Sequence, residues 1–119
     1  MSQFARRIHS SVEFELGAAR RAEQRGEAGL AFRHLERAHV LGQASTFEHV
    51  RVHWRMLGWA RRQRSIAEAV GQLWRLVGAA LVTAIGWIPE GNTGGARVSG
   101  VRPMPIPPDL KRVLDDARS

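Results

Sequence analysis

Four of the five histidines fall between Glu27 and Trp59, on either side of one short break, Gly42-Gln43-Ala44-Ser45. His39 lies five residues before Ala44 and His49 five residues after it. In an antiparallel helical hairpin, positions equidistant from the turn sit at one height along the axis. Glu36 and His39 are spaced i,i+3, and His49 and His53 i,i+4, so each pair shares a helix face. If both faces point inward, Glu36, His39, His49 and His53 converge. Imidazole and carboxylate together suit zinc, iron, nickel, manganese or copper. The bland alternative is a set of half-buried hydrogen-bonding groups between helices, or surface residues.

Several chemistries are disfavoured. The chain has no cysteine, so disulfides, thiolate ligands and a thiol nucleophile are excluded. Glu36-Arg37-Ala38-His39 is one Glu-x-x-His pair, whereas a di-iron bundle needs two plus further carboxylates. Glu13 or Glu15 from a first helix is a further source of a ligand. His49-Val50-Arg51-Val52-His53 lacks the glutamate of a zinc-protease motif. His34 is about 140° around the helix from His39, out of reach of the same ion. Ser10, Ser11, Ser45 and Ser65 sit where helix caps explain them.

These groups need helices to hold them. Ser10-Ser11-Val12-Glu13, Ser45-Thr46-Phe47-Glu48 and Ser65-Ile66-Ala67-Glu68 each read as a capping box. The first predicts a helix from Ser10 or Ser11 to Arg25, with residues 1–11 polar and frayed and Phe14 and Leu16 among its apolar groups. A second helix runs over Glu27–Leu41, with Ala28, Ala31, Leu35 and Ala38 on one stripe and Gly42 as its stop. A third follows to about Arg62, burying Phe47, Val50, Trp54, Met56 and Leu57. The fourth, Ile66 to about Ile85, buries Ile66, Val70, Leu73, Trp74, Val77, Leu81 and Ala84. Its uncharged run from Leu76 to Pro89 is too short to span a bilayer.

Beyond it the composition changes. Trp87 to Gly95 reads as turns, with Gly91-Asn92-Thr93-Gly94-Gly95 lacking the lysine of a phosphate-binding loop. Ala96–Val101 has weak strand character. Arg102 to Pro108 reads as polyproline-like chain, and Asp109–Ala117 as a short helix with Leu110, Val113 and Leu114 on one face. The expected architecture is therefore all-α: four main helices as two antiparallel hairpins, then a Pro/Gly-rich tail with a short terminal helix. A chain of 119 residues makes one domain, with a helical core over 10–86 and a wrapping tail over 87–119.

The formal charge of +7 rests on arginine, Lys111 being the one lysine. Arg20-Arg21-Arg25, Arg51-Arg55 and Arg61-Arg62-Arg64 are local clusters without a recognition module, so weak nucleic-acid binding is a minor alternative. The amino terminus lacks an apolar run of signal-peptide length, and a cytoplasmic location is expected.

Two resemblances bear on this. Gly26-Glu27-Ala28, Ala31, Ala38 and Gly42-Gln43 resemble the second half of a tetratricopeptide-type repeat, which implies stacked helical hairpins over roughly Ala18 to Gln43. The run Leu35-Glu36-Arg37-Ala38-His39-Val40-Leu41-Gly42-Gln43 is similar to a small bacterial family, domain of unknown function 3703. So are His49, His53, Trp54, Met56-Leu57, Gly91 to Gly95 and Pro103-Met104-Pro105-Ile106-Pro107. That resemblance spans nearly the whole chain and implies a complete single-domain protein, with no activity attached. The leading expectation is a small metal-binding or interaction protein with a mononuclear site on His39, His49, His53 and Glu36, holding zinc, iron, nickel or copper. The alternatives are a metal-dependent enzyme using the same cluster and a metal-free interaction module. A homodimer or protein partner is expected, on a surface the sequence does not name.

Overall fold

A computed structural model describes residues 2–84, 94 and 103–119. Five helices make up the described chain: α1 (Gln3–Gln24), α2 (Ala28–Gly42), α3 (Thr46–Arg62), α4 (Ile66–Ala84) and α5 (Pro108–Arg118). α1 packs along α2 and α3 along α4, with α2 against α3 joining the two hairpins and α5 laid across α1 and α2.

The expected four-helix, tetratricopeptide-like arrangement is corrected by this architecture. α5 is not an appendage of a wrapping tail. Leu110, Leu114 and Ala117 are buried in the same core as Ile8, Val12, Leu16, Leu35 and Leu41. The cap of α1 also lies eight residues or more before the expected one at Ser10 or Ser11. Ser2 caps the helix, its hydroxyl accepting from the Ala5 N–H at 3.1 Å. Ser10 and Ser11 lie within the helix. Ala5, Ile8, Val12, Leu16 and Ala19 form one buried stripe at helical spacing, so burial secures the first two turns despite Arg6 and Arg7.

α1 and α3 end alike. At the end of α1 the Glu27 N–H reaches the Ala22 carbonyl and the Gly26 N–H the Glu23 carbonyl; after α3, Ser65 reaches Ala60 and Arg64 reaches Arg61. Both are Schellman closures, which need a left-handed residue at their corner. Gly26 adopts φ +78° without steric conflict, whereas Arg64 is held at φ +56°. Arg64→Gly is therefore expected to raise the unfolding free energy by about 1 kcal/mol in urea titrations. A neutral or destabilising result would mean that the Arg64 side chain stabilises the fold.

The second large correction concerns α4. Six of its large apolar residues point to solvent: Ile66, Val70, Leu73, Trp74, Val77 and Leu81 are 49–79% exposed. Among its described side chains, Glu68, Gln72 and Ala79 are buried. Phe47 and Trp54, expected on a buried stripe, are exposed too, as is Phe14. Hydrophobicity reports which residues gain by burial, but here polar groups of α3 must be met by polar groups of α4. Ala84's side chain, Trp87, the weak strand over 96–101 and most of the glycine-rich turn lie outside the described residues. No helix among those described is long and apolar enough to cross a membrane.

Candidate metal centre

The α2–α3 turn does what the symmetric spacing of His39 and His49 implies. The α2 helix runs through Gly42 rather than stopping there, and Ser45 opens α3, accepting weakly from the Glu48 N–H at 3.5 Å. A Cβ on Gly42 would lie 2.9 Å from the Glu48 Cβ. The missing side chain thus lets α3 approach α2 closely enough for their histidines to meet.

His39, His49 and His53 are all buried, with 3%, 8% and 2% of their surface exposed. The His39 Nε2 lies 3.0 Å from the His49 Nε2 and 3.1 Å from the His53 Nε2. One ligand atom from each of the three fits within a 4.8 Å span. Glu36 is half-buried one turn before His39 and is outside that group.

The surrounding polar groups fix one of the rings. Gln72, wholly buried on α4, places its amide nitrogen 2.9 Å from the Glu68 Oε1 and 2.9 Å from the Gly94 carbonyl. Both are acceptors, so the amide nitrogen belongs on that side and the amide oxygen faces His53. The His53 Nδ1 lies 2.5 Å from that oxygen and donates to it. A neutral His53 therefore carries its proton on Nδ1 and turns an Nε2 lone pair toward His39.

This leaves the centre short of protons. The single hydrogen that a neutral His39 can carry on Nε2 has two close nitrogens to serve. If His39 instead keeps a lone pair there, it faces the lone pair of His53. Protonating the cluster is strongly opposed. Burial, with the adjacent His53 adding a smaller repulsion, pushes His49 down to about 3. Burial likewise pushes His53 down to about 4, reinforced by Arg75 and partly opposed by its bond to Gln72 and by Glu68. His49 and His53 are held neutral, and the Nε2 lone pair of His53 faces the His39 Nε2.

Gly94 closes one side. It sits at φ +81°, and a Cβ there would fall 2.4 Å from the His39 Cδ2. Only glycine brings backbone this near the imidazole while its carbonyl accepts from Gln72. The expectation of a glycine-rich turn packing the tail lies mostly outside the described residues, but this one position is a direct contact with the site.

The first-helix carboxylates are employed elsewhere. Glu15, buried on α1, accepts from the His34 Nδ1 at 2.7 Å and the Arg37 Nε at 3.0 Å, and Arg37 also reaches Asp109 on α5. Glu48 on α3 accepts from the His9 Nδ1 at 2.6 Å and from the Arg51 Nε and Nη2 at 3.0 and 2.6 Å, and Arg51 also binds Glu13. These two histidine–carboxylate–arginine clusters tie α1 to α2 and α1 to α3. Their partners come from separate helices and show no local spacing in the sequence. Gln72 and Glu68 carry no metal-ligand signature in the sequence.

The family model described as protein of unknown function (DUF3703) matches residues 6–114. The match covers all three histidines, Gln72 and Gly94, and the chain belongs to this family. No curated protein and no solved structure matches the chain significantly.

Proposed function

We propose that this member of the family is a metal-binding protein that holds one divalent transition-metal ion on the Nε2 atoms of His39, His49 and His53. The observation that carries the reading is the convergence of three buried Nε2 atoms, one of them turned inward by the Gln72–His53 bond. A cation at the meeting point would be bound by one nitrogen from each ring. Tetrahedral zinc with bonds of about 2.0–2.1 Å sets its nitrogens about 3.3–3.4 Å apart; the two pairs that involve His39 are within a few tenths of an ångström of that, at 3.0 and 3.1 Å, and all three ligand atoms lie inside 4.8 Å.

An all-imidazole set suits zinc, copper, nickel or iron better than magnesium or calcium. The ion would join α2 to α3, and Gln72 would extend the link to α4. Among the described residues the site supplies three ligands, so a four-coordinate ion has a further position for water or another donor.

The test is elemental analysis of protein purified without a histidine tag, beside His49→Ala/His53→Ala. About one tightly held ion per chain in the wild type, absent from the double variant, is the expected result. Wild type that arrives metal-free and takes up none of zinc, iron, nickel or copper would overturn the reading. A subtler variant probes the supporting shell. Gln72→Leu removes the acceptor of the His53 Nδ1–H while leaving all three ligands, and zinc affinity measured by competition with a chelator dye should fall by about 10- to 100-fold.

A further inference from the structure

The outward face of α4 asks for a partner. α3 is the one helix against which α4 packs among the described elements. On its opposite side stand Ile66, Val70, Leu73, Trp74, Val77 and Leu81, none less than 49% exposed. Ala67 and Ala80 are exposed with them, and no charged residue interrupts the row. Five aliphatic groups and an indole exposed to this extent present on the order of 600 Å² of apolar surface. A stable interface covers roughly 800 Å² per partner, and monomers seldom leave such a patch bare.

The order of the residues identifies the occupant. From Ile66 to Leu81 the intervals are four, three, one, three and four residues, the same in either direction. Ala67 and Ala80 obey the same symmetry. We infer that α4 pairs with α4 of a second copy of this chain, antiparallel about a twofold axis between Leu73 and Trp74. That axis places Ile66 opposite Leu81, Val70 opposite Val77, Ala67 opposite Ala80 and Leu73 opposite Trp74. Each patch is complementary to itself, the requirement of an isologous interface. Large residues meet large ones at the axis and at two levels on each side of it, and the alanines let the helices approach at one level on each side. The spacing from Ile66 through Val70, Leu73 and Val77 to Ala80 is also the alternating four-three pattern of a paired-helix seam.

Charge argues for the same arrangement over the other occupants. Helices that lie on lipid carry basic residues along the polar side, whereas Arg75 is the one basic residue of α4 and is half-buried. An acidic partner would find no cation on the face. The basic cluster Arg61, Arg62 and Arg64 precedes Ile66, so antiparallel pairing sends the clusters of the two copies to opposite ends. In the dimer the two α3–α4 hairpins form a four-helix layer. The outer side of α4 makes the interface while its inner side carries Gln72 to the histidines. The pairing stands without any metal.

The experiment is sedimentation velocity with light scattering on the full chain at about 50 µM, a concentration at which a specific dimer is populated. Wild type should run at twice the 13.3 kDa of one chain. Leu73→Glu/Trp74→Glu, which crowds four carboxylates at the axis, should be monomeric with unchanged helical circular dichroism. The cysteine-free chain allows a second readout that does not depend on charge. Val70→Cys mixed with Val77→Cys should form a disulfide-linked dimer on oxidation, and neither variant should do so alone. A monomeric wild type, a dimer that survives the glutamates, or self-linking of Val70→Cys would overturn the pairing. A monomer that sediments with anionic vesicles would assign the face to lipid and overturn it equally.

Discussion

Glu48→Ala is expected to lower the unfolding free energy by about 3–5 kcal/mol, the cost of leaving a buried ionic cluster without its anion. Glu48 has no exposed surface and joins three groups, His9 on α1 and both ends of the Arg51 fork on its own helix. The Arg51 side chain is 17% exposed, so its charge recovers little water when the carboxylate goes. The substitution also empties a side-chain volume where α1 meets α3. Glu13 provides the control. It binds the same Arg51, but its side chain is 48% exposed, and Glu13→Ala should cost under about 1 kcal/mol. Urea unfolding of the two variants should therefore differ severalfold. Equal small losses would show that Arg51 and His9 find water or other partners, and that the cluster does not hold α1 to α3.

The two outcomes illustrate what sequence periodicity can and does not convey. The pairing of His39 with His49 and His53 was legible because it depends on one turn and on helix pitch, both local. The stripe Ala5, Ile8, Val12 was equally present in the sequence, yet Arg6, Arg7 and the serines after it read as a frayed end. What tipped the balance was burial against α2 and α5, a tertiary effect. The inversion of α4 was hidden for a different reason. Its apolar stripe is real and strongly periodic, and periodicity predicts a buried face without naming what buries it. α3 presents His53 toward α4, and the face that answers it carries Gln72, itself bonded to Glu68. The apolar side is then left for another surface. Gln72 itself, the residue that sets the His53 tautomer, is a neutral amide in a hydrophobic helix and has no spacing rule to reveal it.

The same chain of causes explains why the polar residues sit inside. The buried residues of α2, α3 and α4 include three imidazoles, an amide and the Glu68 carboxylate beside apolar groups such as Val52, Met56 and Ala79. Between α1, α2 and α5 the interior is built of Ile8, Val12, Leu16, Leu41, Leu110 and Leu114. The apolar half supplies the bulk of the hydrophobic stabilisation, and the polar half is positioned by it. A buried polar layer is costly wherever a partner is missing, which makes the second hairpin the part of the fold most dependent on what occupies the histidine centre.

That dependence has a pH signature in metal-free protein. His49 and His53 are depressed to about 3 and about 4 in the fold, while in the unfolded chain each returns to about 6.5. Below pH 6.5 the unfolded chain therefore binds more protons than the folded one, and acid favours unfolding. The stability associated with neutral rings is complete above pH 6.5 and is lost as pH falls toward the folded values. Each histidine loses about 1.4 kcal/mol per pH unit in that window, so the pair should cost about 4 kcal/mol between pH 7 and pH 5. Ordinary carboxylates change little over this range. Urea titrations in the presence of a chelator should show the loss, and His49→Gln/His53→Gln should flatten the slope even if it lowers the overall stability. A wild-type stability that stays level from pH 7 to pH 5 would mean that the imidazoles exchange protons with solvent as freely as in an open chain. The three rings could not then be a desolvated centre waiting for a cation.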